Sequence, residues 1–117
     1  MKAHRLVYLY AIAVLSAPNF ALAADAEAGL AVVKTLGTVN GHALACSEMG
    51  VAARARQLML AHAPKTPRFG AAYEEATNEA FNTQTRSGKA CASGTELTAQ
   101  INQLAVQLAD SLPVAAK

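Results

Sequence analysis

Residues 37–49 read GTVNGHALACSEM, and the way this stretch is divided decides the fold. Gly37, Asn40 and Gly41 are turn-forming types crowded into five positions, so GTVNG reads as a turn between two helices. His42 to Ala45 then reads as the first turn of the next helix. Cys46 raises its own question: lipid-attachment site, reactive thiol, or half of a disulfide. Lipid attachment needs a cysteine directly after an apolar signal helix. The residues before Cys46 are polar and glycine-rich, so that reading fails.

The segment with the look of an export signal lies at the other end. Lys2, His4 and Arg5 form a basic start, Leu6 to Ser16 an apolar run, and Ala21-Leu22-Ala23 a small-x-small cleavage pattern. In that order they read as a secretory signal peptide over residues 1–23, with Ala24 as the first mature residue. The apolar run is shorter than the ~20 residues a bilayer requires. Removing residues 1–23 takes away Lys2 and Arg5 and leaves eight basic against eight acidic side chains. The expected mature net charge is therefore zero, and no basic field argues for nucleic acid. Residues 24–117 are expected to form one small domain with no stable membrane anchor after cleavage.

Cys46 and Cys91 are the only cysteines. In an oxidising compartment an even count favours pairing, and a Cys46–Cys91 disulfide is expected. A nucleophilic thiol would need an orienting base and a third group, and nothing beyond His42 suggests one. There is no Cys-x-x-Cys redox motif.

Outward from this centre the pattern is helical throughout. Asp25 is a candidate N-cap for a short first helix in which Leu30, Val33 and Leu36 share a side, ended by Gly37. A second helix is expected from about His42 to His62, with Leu44, Val51, Ala55, Leu58, Met59 and Leu60 as its apolar positions and Pro64 as its stop. APKTPRFG, residues 63–70, punctuates the chain: Thr66 is a candidate N-cap and Pro67 stands at the first helical position. The third helix runs to about Gln84 with Phe69, Tyr73, Ala76 and Ala80 as its stripe and Phe81 beside it. Ser93-Gly94-Thr95-Glu96 is a capping box opening the fourth. There Leu97, Ile101, Leu104, Leu108 and Leu112 recur at helical spacing, and Pro113 closes the element. No segment alternates with the period of a strand. The expectation is an all-α, disulfide-stapled bundle of three main helices plus a short N-terminal one.

Catalytic, metal and cofactor sites are not expected. Glu75 and Glu79 stand at i, i+4 with Glu74 alongside, on the polar face of an amphipathic helix, and read as a solvated face rather than an acid–base pair. His42 and His62 lie at opposite ends of the expected second helix. Met59 and His62 with Met49 have the types for Cu(I), but Met59 is explained by the core. Phosphate loops, zinc spacings and nucleophile elbows are absent. The one surface feature with character is a rigid basic loop, in which Lys65 and Arg68 lead into Phe69 and Tyr73 as a possible partner-binding site.

Across LGTVNGHALAC and HAPKTPRFGAAYEEATNEAF the chain resembles small exported proteins encoded among conjugative-transfer and type IV secretion genes of Gram-negative bacteria. The similarity covers about residues 36–84 and the second cysteine. It implies a non-enzymatic periplasmic accessory with protein partners in the cell envelope, and assigns no site residue beyond the cysteine pair. In architecture the expected domain is also similar to the acid-activated periplasmic chaperones, which are small, helical and held by one disulfide. A stress chaperone is therefore one alternative function. An inhibitor or immunity protein that inserts the Lys65 to Phe69 loop into an enzyme's cleft is another.

Overall fold

The computed structural model describes residues 18–114. The basic start and apolar run of the expected signal peptide lie outside them. Four helices follow one another: α1 Pro18–Ala45, α2 Met49–His62, α3 Pro67–Ser87 and α4 Gly94–Ser111. Among the described residues there is no strand, and the domain is all-α.

GTVNG is not a turn. It lies inside α1, which runs unbroken for 28 residues and is the longest helix rather than a short one. Asp25 lies within α1 rather than capping it, and HALA is the last turn of this helix rather than the first of the next. The reason is packing. A Cβ on Gly37 would stand 2.5 Å from the Tyr73 carbonyl oxygen and 2.9 Å from the Ala76 Cβ. One turn on, a Cβ on Gly41 would collide with the Thr77 carbonyl oxygen and approach the Ala80 Cβ to 2.8 Å. The glycines remove side chains where α1 meets the α3 backbone, and Ala76 and Ala80 do the same from the other side. Small residues one turn apart on both helices let two backbones approach closely. Asn40 stands beside this seam, 8% exposed. Its Nδ2 donates to Thr77 Oγ1 at 3.2 Å, and Thr77 Oγ1 donates to the Gly37 carbonyl at 3.2 Å. The three turn-forming residues thus form the face that receives α3.

The helix stops four residues later, at a signal the composition conceals. Ser47 adopts a left-handed conformation, φ 61°. The Glu48 N–H donates to the Ala43 carbonyl at 2.8 Å and the Ser47 N–H to the Leu44 carbonyl at 3.4 Å. These are the two bonds of a Schellman motif, whose left-handed position is usually glycine.

Helix α1 is the centre of the molecule. It packs against α3 on one side and against α2 and α4 on the other, while α2 and α4 also meet each other. The apolar core lies on the α2/α4 side, where Leu36, Leu97, Ile101, Leu108 and Val33 have almost no exposure. Val51, Ala55 and Leu58 of α2 join it as expected. Leu44 belongs to α1, and both it and Leu60 are exposed. The capping box of α4 is formed, Ser93 Oγ accepting from the Glu96 N–H and Glu96 Oε2 from the Ser93 N–H, each at 3.1 Å. Thr66 is the N-cap residue of α3 with Pro67 at its first position, though its side chain caps nothing.

The disulfide is present. Cys46, in the turn that ends α1, is joined to Cys91, before α4, across a sequence separation of 45 and a Cα–Cα distance of 5.9 Å. Closing so long a loop restricts the unfolded chain by about 4 kcal/mol. Glu48 supports the same end, its Oε1 lying 2.7 Å from where a Gly94 Cβ would be. Its carboxylate thereby meets the N-terminus of α4, where the helix dipole favours negative charge.

Glycine-to-alanine substitutions should therefore change sign with position. Gly37→Ala or Gly41→Ala should lower the unfolding free energy by about 1–3 kcal/mol, because the added methyl has backbone against it. Gly70→Ala meets nothing within 4 Å, and should raise stability by about 0.5–1 kcal/mol through helix propensity. Urea denaturation of the three variants checks both signs. Ser47→Gly should add about 1 kcal/mol by relieving the left-handed cost at the end of α1, measured the same way.

Candidate functional site

The basic loop is divided between surface and interior. Lys65 and Arg68 are exposed, but each has a partner on its own chain. Lys65 Nζ donates to the Leu60 carbonyl at 2.7 Å, and Arg68 forms an ion pair with Glu27 of α1. That pair is exposed on both sides and adds little stability. Phe69 is 6% exposed and belongs to the core, and Tyr73 is half-buried against it. The structure therefore brings Lys65 and Arg68 to the surface as two cations, buries Phe69 and leaves Tyr73 half-exposed.

Burial governs the chemistry of Tyr73. Desolvation disfavours the phenolate and pushes the hydroxyl up to about 12, with the positive charge of Arg56 acting in the opposite direction. The histidines are separate. His62 Nδ1 is 2.7 Å from the Leu112 carbonyl; a carbonyl only accepts, so Nδ1 carries the proton. Met49 and His62 are the first and last residues of α2, about 20 Å apart at 1.5 Å per residue. Among the described residues, no three His, Cys, Asp or Glu side chains gather as metal ligands would.

The feature that the sequence reading missed is a groove of about 480 Å³ alongside the α1/α3 seam. Its α1 wall is Lys34, Thr38 and His42, and its α3 wall includes Glu75, Glu79 and Thr83. Both rows step by four residues, so each presents one face of its helix. Ala72, Ala76 and Ala80 line the groove between them. Gly37 faces residues 73–76 and Gly41 faces residues 77–81, so the two helices run parallel and the rows face each other along their length. The groove therefore has a polar wall with one lysine, an acidic wall and a bottom of methyl groups. Glu75 and Glu79 are exposed. Among the described residues, the ion pair within 4 Å is Arg68–Glu27, not one across the groove. The two i, i+4 rows are visible in the sequence, but pairing them requires α1 to be continuous past Gly37.

Matched against protein-family models, curated proteins and solved structures, the chain finds no similar protein. Among the described residues no helix is long and apolar enough to cross a membrane.

The raised Tyr73 hydroxyl makes stability depend on alkaline pH. Its folded value, about 12, lies above the ordinary value of 10.0. The native state thus keeps a proton that the unfolded chain releases, and stability falls as pH rises from 10 towards 12. Urea midpoints at pH 9 and pH 11 should fall further for the native sequence than for Tyr73→Phe, which has no phenol to ionise.

Proposed function

We propose that this is a non-enzymatic, exported interaction protein, an accessory of a conjugative-transfer or type IV secretion apparatus in the envelope of a Gram-negative bacterium. The α1/α3 groove carries the reading. It is an open channel with opposed charges, held between two helices by a backbone-to-backbone seam. Such a surface suits a segment of another protein better than it suits chemistry, which needs groups in mutual contact and shielded from water. The Cys46–Cys91 disulfide supports export, because disulfides persist in oxidising compartments. The basic start and apolar run before residue 17 support the same route, with the signal ending at Ala23. A chain beginning at Ala24 would keep Glu27, the glycine seam and every residue of the groove.

The test is crosslinking in cells that carry the transfer genes. A photo-crosslinking residue at Thr38, inside the groove, should form an adduct with a pilus or channel component. The same residue at Gln107 of α4, which does not line the groove, should form little. If neither position yields an adduct containing a transfer component, the proposed role is wrong.

A further inference from the structure

The chemistry of the groove is specific enough to describe its occupant. Resting on the reading above, the geometry points to a helical, lysine- or arginine-bearing segment of a partner protein, laid along the α1/α3 groove. Three features of the groove carry this. The first is the bottom: Ala72 and Ala76 are one turn apart and part-exposed, while Ala80 is buried against Gly41, so a helix with small residues on one face can settle close to the first two. The second is the acidic wall. Glu75 and Glu79 are one turn apart, about 6 Å, the separation of two cations at i, i+4 on a facing helix. They are exposed, and α3 carries no Lys or Arg between Arg68 and Arg86. The third is the balance of charge. Two carboxylates face one lysine, so the groove favours a segment with net positive charge. Lys34, on the opposite wall, disfavours a uniformly cationic rod and sets which face of the segment turns towards α3.

A surface of this kind gives weak, salt-dependent binding. The probe is a fluorescein-labelled sixteen-residue peptide of four Ala-Ala-Ala-Lys repeats, titrated by anisotropy with the whole protein at pH 7 and low salt. It should bind saturably with a Kd below about 1 mM. Glu75→Gln with Glu79→Gln should weaken it at least tenfold. Glu74→Gln removes one negative charge from α3 outside the groove and should change affinity less than twofold; Lys34→Gln should tighten binding. The matching Ala-Ala-Ala-Glu peptide should not bind. No saturable binding, or equal losses from Glu74→Gln and the double variant, overturns the proposal. So does displacement of the peptide by an equal concentration of spermidine, which would assign the groove to free polyamines. Circular dichroism and urea midpoints of each variant separate lost binding from lost folding. Transfer-component crosslinks from Gln107 with no peptide binding would overturn this proposal and leave the wider role standing.

Discussion

Everything on the α3 side of this protein depends on how closely two backbones approach. Gly37 and Gly41 leave no side chain between α1 and the carbonyls of Tyr73 and Thr77. Of the large apolar residues on α3, only Phe69, near its start, is buried. Along most of its length the helix is held by methyl groups, by the Asn40–Thr77–Gly37 hydrogen bonds and by close fit. Attraction of this kind weakens quickly with separation, because a gap of about 0.5–1 Å already forfeits a quarter to a half of the dispersion gain. The opposite side of α1 is built differently. There, branched side chains from three helices fill a core in which volume-conserving exchanges are tolerated best. One helix thus carries two kinds of interface, one sensitive to a single methyl and one sustained by bulk.

The same constraint explains why the sequence was easy to read in one half and misleading in the other. The stripe from Leu97 to Leu108 is buried as its spacing requires, and Ser93 and Glu96 cap α4 as their types require. Phe69 and Ala80, at the two ends of the expected stripe on α3, are buried too. These elements follow from local periodicity, which a single segment displays. GTVNG does not. Glycine costs helix stability in isolation, so a local reading places a break there. The break is overridden by contacts with residues some forty positions later. Conversely the true end of α1 is marked by Ser47, a residue with no strong claim on a left-handed conformation.

That one misplaced boundary also hid the groove. Lys34, Thr38 and His42 lie on one row only if the helix continues through Gly37 and Gly41. Broken at Gly37, the chain assigns Lys34 and His42 to different helices. The acidic pair was visible and was correctly placed on a polar face, as the exposure of Glu75 and Glu79 shows. What faces that pair was legible only from the parallel pairing of α1 and α3. The basic loop is a different case. Its residues are all visible in the sequence, but which of them point inwards is a tertiary property: Phe69 is buried and Tyr73 is half-buried beside it.

The cysteine pair joins these two lessons. Cys46 sits in the Schellman turn, so the residue that carries the staple is positioned by the motif that ends the long helix. Cys91 lies in the segment that returns the chain from α3 to α4. The disulfide therefore closes around both α2 and α3, and it ties the far end of the weakly apolar α3 to the strongly apolar core through α1 and α4. Helix α3 buries only Phe69 and Ala80 along its 21 residues, and ordering each residue costs about 1–2 kcal/mol. With the loop that contains α3 closed by the disulfide, the unfolded chain has less freedom to lose on folding. A seam of small residues then suffices to hold α3 against α1, and an open groove survives beside it without large apolar side chains to close it.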